Sequence, residues 1–323
     1  MNIISEIGSN WKTLSDCLNA IKKSKLCGAD IVKFQMFSHE ELYGQKDPID
    51  EGFRSTTPYL NPEWIPELAN EAKNQDIQFM CTAFSVSGYR YINEYVSKHK
   101  IASSELTDIN ILKEVNSYKK PVLLSTGGAD LNLEIRHALL LLKDCPVTIM
   151  FCVSDYPAKI IDFRRFVDLQ AYFGANYQYG FSDHSIDTLI IPERAKNMGA
   201  TIIEKHTNFF DYTDTNDATH SLNENEFKVM CSFLKNKPLS QKELSTYTNS
   251  NMDALHKRRY VATKPINQGD LFKLNWNVGI YRATQPSIDP VLTFRSWDVE
   301  GKSALRDIKP GDVICYPDVL NGS

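Results

Sequence analysis

The 323-residue sequence contains no apolar run near the roughly 18 residues that a transmembrane helix needs, so it predicts no membrane span. Basic residues are not in excess: the formal net charge is −4, which argues against a nucleic-acid-binding protein. The first residues, MNIISEIG, lack the charged segment and the long apolar segment of a secretory signal and are typical of a β-strand. We therefore expect a cytoplasmic protein with neither a membrane nor a nucleic acid as partner.

Paired cysteines and a nucleotide-binding loop are also missing. The seven cysteines are odd in number and form no Cys-x-x-Cys motif, which argues against a disulfide framework and favours reduced, mostly buried thiols. No glycine-rich loop follows the first predicted strand, which disfavours a dinucleotide-binding fold. The composition, with 42% hydrophobic and 24% charged residues, is typical of globular proteins.

Eight short apolar runs alternate with longer amphipathic segments up to about residue 235. The runs cover residues 2–8, 31–35, 77–84, 100–105, 121–127, 147–154, 179–184 and 201–207. Such runs, with little polar alternation, are typical of parallel strands buried on both faces. Helix signals lie between them, such as Asn61-Pro62 at a start and Gly28 at an end. Eight strand–helix repeats predict an α/β fold, a (β/α)8 TIM barrel, with an open doubly wound sheet as the alternative.

The composition changes after the predicted barrel. Residues 1–240 would form the catalytic barrel, and the polar residues 241–257 predict a linker. Residues 258–323 predict a small β-rich domain with tight turns. Two similar phrases in it, Ile266 to Asp270 and Ile308 to Asp312, indicate an internal pseudo-repeat.

Polar side chains gather at the C-terminal ends of the predicted strands, where barrel enzymes place their active sites. They include two lysines, which are unfavourable to bury as mere packing. His184 and His206 end two strands 22 positions apart, which suits two metal ligands separated by one crossover helix. Two cations, several hydroxyls and a metal suit an anionic, phosphate-bearing substrate. The alternative is a solvated rim with incidental lysines. The residues are Glu6, Asn10, Lys33, Gln35, Thr82, Ser85, Lys100, Ser103, Glu105, Ser125, Thr126, Ser154, Tyr156, Ser182, His184 and His206.

The chain resembles the sialic acid (N-acetylneuraminate) synthase family in seven ordered motifs: EIGSNW, VKFQ, CTAFS, KIASSE, LLSTG, GFSDHS and IEKHT. That family includes the pseudaminic and legionaminic acid synthases. The tail, with VATKPINQGD and GKSALRDIKPGD, is similar to the family's C-terminal antifreeze-like domain (SAF, a β-clip fold). The resemblance extends from residue 2 to about residue 319, nearly the whole chain.

The resemblance implies a transferase that condenses phosphoenolpyruvate with an N-acetylated amino sugar, either N-acetylmannosamine or a 2,4-diacetamido hexose. The products would be a nine-carbon 2-keto acid and phosphate. A divalent metal, Mn2+ or Mg2+, would polarise the sugar aldehyde. The resemblance also implies a domain-swapped homodimer, in which Arg282 of one copy reaches the sugar in the barrel of the other.

Roles for individual residues follow from the same resemblance. Phosphoenolpyruvate would be bound by Lys33, Thr82, Lys100, Ser103, Ser125, Ser154 and Ser182, and the sugar by Gln35, Tyr156, Asp217 and Arg282. The metal would be bound by His184 and His206. Glu6 beside the metal and Glu105 in water or proton transfer would be the catalytic carboxylates.

Three positions depart from the family pattern. Ser154 replaces the asparagine of N-acetylneuraminate synthases, as in pseudaminic-type enzymes, and leaves space for water or another ligand pose. Arg282 is followed by Ala283-Thr284 where the family has Pro-Gly. Trp11 replaces a histidine, which we expect to alter the sugar-facing rim.

Some questions stay open at this point. Lys100 and Ser103 cannot face the same way on a regular strand, so we expect a bulge or turn near Ala102. His220 lies shortly after Asp217 and belongs either to the substrate loop or to a plain loop. Two other functions remain as alternatives: a keto-deoxy-acid synthase that uses phosphoenolpyruvate with a phosphorylated sugar, and a non-catalytic sugar-binding protein.

Overall fold

The fold is taken from a computed structural model of the chain. The structure describes residues 1–38, 41, 60–235, 258–282 and 298–319, with the backbone alone described at 258, 259, 280–282 and 316. The chain forms two compact units, residues Met1–Leu239 and Ser240–Ser323, which are described separately below.

Eight parallel strands form an almost closed barrel in the first unit. They are β1 (Asn2–Gly8), β2 (Ile31–Met36), β3 (Gln78–Ala83), β4 (His99–Ile101), β5 (Val122–Ser125), β6 (Val147–Cys152), β7 (Gln178–Asp183) and β8 (Ile202–His206). The hydrogen-bonded order is β3-β2-β1-β8-β7-β6-β5-β4. The two end strands, β3 and β4, approach within 8 Å between Cα atoms. The predicted (β/α)8 barrel is confirmed, and the open doubly wound sheet is excluded.

Helices connect the strands in the order that the sequence predicts. They are α1 (Leu14–Cys27), α2 (Ile65–Asn74), α3 (Val86–Ile92), α4 (Ile109–Ser117), α5 (Arg136–Leu141), α6 (Arg164–Phe173), α7 (Ile190–Asn197) and α8 (Glu224–Leu234). Thr13 and Asp16 form a capping box that begins α1, and Gly28 ends it in the left-handed conformation at φ 99°. Among the described residues, none of the helices combines the length and the apolar character that crossing a bilayer requires.

The interior of the barrel has an apolar floor. Its side chains come from six strands and are all buried: Ile4, Ile31, Met80, Leu123, Met150 and Ile202. Side chains two residues apart on a strand face the same way. The next inward-facing side chain on β1, β2 and β8 is therefore Glu6, Lys33 and Glu204 respectively. The period of the strands thus places a charged layer directly above the apolar floor.

The fourth strand is shorter than the predicted run. β4 ends at Ile101, and a 3-10 turn, Ser103–Glu105, follows the extended residue Ala102. The turn expected near Ala102 is therefore present, and it allows Lys100 and Ser103 to face the same cavity.

The second unit is β-rich in its described part. An antiparallel pair, β9 (Arg258–Ala262) and β10 (Val278–Arg282), lies beside a small apolar core. The two phrases predicted as a pseudo-repeat pair with each other: the N–H of each of Ile266 and Ile308 donates to the carbonyl of the other, at 3.0 and 2.8 Å. Their turn glycines have almost equal φ angles, 90° at Gly269 and 93° at Gly311. Assignment of this unit to the antifreeze-like family stays a prediction.

Candidate active site

A cavity of about 310 Å³ lies at the C-terminal end of the barrel strands. Eleven predicted site residues line it: Lys33, Gln35, Thr82, Lys100, Ser103, Ser125, Tyr156, Ser182, His184, His206 and Asp217. They come from β2, β3, β4, β5, β7 and β8 and from the segments that follow β4, β6, β7 and β8. Convergence at one cavity is what the barrel geometry predicts for polar strand ends.

Two buried lysines and two buried carboxylates form a charged layer at the base of this cavity, and Lys33, Lys100 and Glu204 of that layer line it. Lys33 Nζ lies 2.7 Å from Glu6 Oε2 and 3.8 Å from Glu204 Oε1, and Lys100 Nζ lies 3.8 Å from the same Glu204 oxygen. Strand register brings them together, because Glu6 on β1 is directly opposite Lys33 on β2. All four side chains are at most 4% exposed, so their charges interact with little screening by solvent.

The same groups are surrounded by hydroxyl and amide donors. Lys100 donates to Ser125 Oγ at 2.7 Å, and Lys33 donates to Thr82 Oγ1 at 3.2 Å. Ser182 Oγ donates to Glu204 Oε1 at 2.9 Å. These contacts fix the positions of hydroxyls that can also donate to an anion bound in the cavity.

The surroundings shift the pKa values of the two carboxylates in opposite directions. Burial raises the pKa of Glu6 to about 7, although Lys33 acts in the opposite direction. Burial also opposes ionisation of Glu204, but Lys100 and Lys33 together lower its pKa to about 2. When Glu6 holds a proton, two ammonium groups therefore face a single carboxylate, and the floor of the cavity is net positive.

Glu204 is the main site residue that the sequence-based assignment omits. It contacts both lysines and Ser182 and lines the cavity. The available signal was its position two residues before His206, which places both on the inward face of β8. Cys152 also lines the cavity, and burial raises the pKa of its thiol.

A group of imidazoles occupies the side of the cavity near β8. His184 Nδ1 lies 2.7 Å from the carbonyl of Val153, and Nε2 lies 3.3 Å from Ser182 Oγ. A backbone carbonyl on one ring nitrogen is the usual arrangement for a histidine that binds metal through the other. The His184 and His206 ring centroids are 5.8 Å apart, and Tyr156 stacks on His184 at 4.2 Å.

The imidazoles are suited to bind a metal ion. Burial lowers the pKa of His184 to about 4 and that of His206 to about 3, so both are neutral at neutral pH. His206 Nδ1 is buried and makes no hydrogen bond. Asp217 Oδ2 lies 4.0 Å from that nitrogen and supplies an anionic oxygen. A neutral nitrogen without a partner beside a carboxylate fits a divalent cation.

Other predicted residues lie outside the cavity lining. Glu6 lies just below it and accepts a hydrogen bond from Gln35 Nε2 at 2.6 Å. Glu105 lies beside it in the turn after β4, bonded to Ser104 Oγ at 2.7 Å, and burial raises its pKa. Ser154 Oγ lies close to Gly127, where an added Cβ would overlap it. The side chain of Arg282 is outside the described residues.

Trp11 does not lie on the rim. It is buried, donates from Nε1 to the Gly8 carbonyl at 2.9 Å, and packs edge-on against Trp64 at 5.7 Å. The indole therefore does not itself form part of the rim, and the expected effect of this substitution on the rim stays a prediction. Its indole instead supports the turn at the end of β1, since Gly8 is the last residue of that strand.

The barrel and the charged cavity at its mouth define a class of protein, a (β/α)8-barrel enzyme whose strand-end cavity is lined by lysines, hydroxyls and imidazoles. Residues 20–244 match the model of the NeuB family, and the chain belongs to that family. It is 30% identical to the pseudaminic acid synthase of Helicobacter pylori, over 98% of this chain and 97% of that protein. It is 28% identical to the N,N'-diacetyllegionaminic acid synthase of Campylobacter jejuni, over 97% of this chain and 98% of that protein.

A solved structure shows the same likeness. The crystal structure of the spore coat polysaccharide biosynthesis protein spsE from Bacillus subtilis matches 100% of this chain and 96% of its own, with a TM-score of 0.65 and 28% identity. The predicted family is therefore confirmed. The family match ends at residue 244, so it leaves residues 245–323 of the second unit uncovered.

Proposed function

We propose that this protein condenses phosphoenolpyruvate with an N-acetylated amino sugar to form a nine-carbon 2-keto acid of the sialic acid type, with release of phosphate. The relatives with synthase names support the product class. The observation that carries the proposal is the pair of buried lysines, Lys33 and Lys100, which reach one cavity from β2 and β4. Two ammonium groups complement a substrate that carries a phosphate and a carboxylate.

The hydroxyls around the lysines provide the remaining contacts for this substrate. We assign Thr82, Ser103, Ser125 and Ser182, all in the cavity lining, to the phosphate and carboxylate oxygens. Ser154 would join them from behind Gly127. The net positive floor described above favours the enol phosphate over a neutral sugar at this depth.

The sugar would bind nearer the opening of the cavity. Gln35, Tyr156 and Asp217 are assigned to the sugar, since all three line the cavity and Tyr156 is half-exposed. His184 and His206 would hold a divalent metal, Mn2+ or Mg2+, which when bound polarises the sugar aldehyde. We further propose a domain-swapped homodimer in which Arg282 completes the sugar site of the other copy.

The reaction requires proton transfers that the carboxylates can perform. Carbon 3 of phosphoenolpyruvate forms a bond to the aldehyde carbon, water adds at carbon 2, and phosphate leaves by cleavage of the bond between carbon 2 and oxygen. The new hydroxyl takes one proton, and the attacking water gives one up. Glu6 and Glu105 have raised pKa values and are assigned to these transfers.

The experiment is release of inorganic phosphate from phosphoenolpyruvate with Mn2+, with and without N-acetylmannosamine or a 2,4-diacetamido hexose, followed by mass detection of the product. We expect release only with an amino sugar, together with a nine-carbon acid. Release with a phosphorylated sugar instead would indicate a keto-deoxy-acid synthase. Sugar binding without phosphate release would indicate a non-catalytic binding protein. Either result would overturn the proposal.

A further inference from the structure

Three ligand-type side chains converge at the end of β8. One atom each from His206, Asp217 and His220 lies within 4.8 Å of the other two. Ligand atoms around an ion at about 2.1 Å lie roughly 3–4 Å apart, so a shift of about an ångström would bring the three into one coordination shell. His206 is the only one of them that the strand-end pattern assigned to a metal.

The imidazoles of this cluster lack the partners that buried polar groups normally have. His206 and His220 are 5% and 3% exposed. His206 Nδ1 and His220 Nδ1 are buried and make no hydrogen bond, and the contact of His220 Nε2 is with Asp217 Oδ1, at 3.1 Å. A buried polar atom without a partner is unfavourable by about 1–3 kcal/mol, so two such rings facing one carboxylate indicate an absent ligand.

The end of β1 leaves room for this cluster. Gly8 has φ 54°, and a Cβ at this position would overlap the Asp217 carboxylate and lie 3.2 Å from His206 Nδ1. A side chain here would therefore displace the carboxylate from the two imidazoles. Glycine is the residue that permits both the left-handed backbone and the close approach.

The segment that carries Asp217 and His220 is held firmly to β1. Asp217 Oδ2 accepts hydrogen bonds from the N–H and the hydroxyl of Ser9 at 2.6 and 2.8 Å. Asn10 Nδ2 donates to Ser221 Oγ at 2.7 Å. These bonds leave Asp217 Oδ1 directed at His220, with its Nε2 at 3.1 Å. The carboxylate is thus positioned before any ion arrives.

We propose that His206, Asp217 and His220 together bind one divalent transition-metal ion, with His220 a protein ligand in addition to those expected from the strand ends. Two imidazoles and one carboxylate favour ions such as Mn2+, Fe2+, Co2+ or Zn2+ over Mg2+, which prefers oxygen ligands and water. With His184, which the proposed function also assigns to the ion, four protein ligands would leave two positions of an octahedral ion open toward the cavity for substrate oxygens. The role of the ion in the condensation rests on the proposed function, but its binding does not.

The test measures metal binding in the full-length, metal-free protein without turnover. Mn2+ is titrated by calorimetry, and pulsed electron paramagnetic resonance counts the imidazoles bound to Mn2+. We expect His220→Ala to lose one coordinated imidazole and to bind Mn2+ more weakly by at least the roughly 10- to 100-fold that loss of an outer-shell partner causes. The control His137→Ala, at an exposed histidine on α5, should change neither quantity.

An unchanged imidazole count in His220→Ala would overturn the inference, since His220 would then act only as a neighbour of Asp217. If that variant does not fold, His220→Gln keeps a polar side chain of similar size and should also lose the imidazole. Imidazole-bound Mn2+ in the wild type without phosphate release would leave this inference standing and remove the proposed condensation. Phosphate release by the wild type together with an unchanged imidazole count in His220→Ala would support the proposed condensation and overturn this inference.

Discussion

The two faces of β8 present two buried charge clusters that differ in how completely they are satisfied. On the inward face, Glu204 lies 3.8 Å from both Lys33 and Lys100. On the outward face, the next residue, Lys205, is fully buried and lies 2.7 Å from Asp183. Both clusters remove charges from water at a substantial desolvation penalty. Because they differ in how fully their hydrogen bonds are satisfied, we expect the two clusters to have different roles.

The outer cluster uses its hydrogen-bonding capacity fully. Lys205 Nζ donates to Asp183 Oδ2 at 2.7 Å, to the Ser185 carbonyl at 2.6 Å and to the Asp187 carbonyl at 2.9 Å. An ammonium group has three donors, and all three are used. Because these acceptors lie on the segment that surrounds His184, the outer cluster is a structural support for the cavity wall.

The inner cluster leaves capacity unused. Lys100 makes one close hydrogen bond, to Ser125, and Glu204 Oε2 has none. Glu204 lies 3.8 Å from both lysine nitrogens, which is longer than a hydrogen bond, so a ligand oxygen can replace it as their partner. Burial of charge therefore does not by itself identify a functional group. Unused hydrogen-bonding capacity that is directed into a cavity does identify a functional group.

Replacing Lys100 by Met tests the inner cluster and should have the largest effect. We expect kcat/KM for phosphoenolpyruvate to fall about 10²- to 10³-fold, because one of two cationic donors to the anion is lost. Glu204 keeps Lys33 and Ser182 as partners, so the protein should remain folded. Phosphate release at varied phosphoenolpyruvate concentration measures the change.

The control for Lys100→Met is Lys113→Met, which removes an exposed lysine from α4. Surface substitutions of this kind change stability by no more than about 0.5 kcal/mol and should not alter turnover. Turnover within twofold of the wild type in Lys100→Met would show that the inner cluster is structural.

Replacing Lys205 by Met tests the outer cluster. We expect the free energy of unfolding to fall by about 3–5 kcal/mol, because Asp183 is left as an uncompensated buried charge. The rate of the protein that remains folded should change much less than in Lys100→Met. Denaturant unfolding and the rate per folded molecule measure the two effects. Equal losses of rate in the two variants would erase the distinction between the clusters.

The two-residue period of β-strands made much of this arrangement of side chains predictable from the sequence. Alternation on β8 places Glu204 and His206 on one face and Lys205 on the other. The eight apolar runs predicted the barrel, since parallel strands buried on both faces need such runs. The polar strand ends then predicted most of the cavity lining, because all strands end at the same side of a barrel.

Contacts distant in sequence were not predictable in this way. The approach of Glu6 to Lys33 depends on the register between two strands, which the pattern within each strand does not determine. His220 reaches His206 because its segment is bonded back to Ser9, over 200 positions earlier. The burial of Trp11 was not predictable from its position after the strand either, and it follows because a large indole gains more by burial than by exposure.

Replacing Gly8 by Ala tests the close approach of the Asp217 carboxylate to His206 at the end of β1. We expect a loss of stability of about 1–3 kcal/mol from the strained backbone, together with weaker Mn2+ binding because Asp217 must move. Gly269→Ala is the matched control, since its φ is also positive, at 90°, and an added Cβ meets no atom within 4 Å. Unfolding and Mn2+ titrations of both variants separate strain from overlap. Unaltered Mn2+ affinity in Gly8→Ala would place the ion elsewhere.

The smallest effect concerns acid stability, and buried histidines inside and outside the cavity should contribute to it. Burial lowers the pKa of His99 and of His184 to about 4 and that of His206 to about 3. Unfolded histidines bind protons near pH 6.5, so the unfolded state takes up more protons between about pH 6.5 and 4. Stability is therefore present above pH 6.5 and should fall toward pH 4 by up to about 1.4 kcal/mol per pH unit for each group.

Mn2+ should distinguish the contribution that the cavity histidines make to the pH dependence of stability from the contribution of His99. His99 lies outside the cavity between Tyr89 and Tyr118, so His99→Gln should reduce the slope equally with and without the metal. Protons compete with a metal for imidazole mainly near and below the folded-state pKa values of His184 and His206, about 4 and 3, so bound Mn2+ should steepen the wild-type slope only below about pH 4.5. His206→Gln should abolish that steepening while His99→Gln preserves it. Unfolding measured at about pH 5.5, 4.5 and 3.5 would decide the matter, because a metal-dependent slope that survives in His206→Gln would separate the cation from β8.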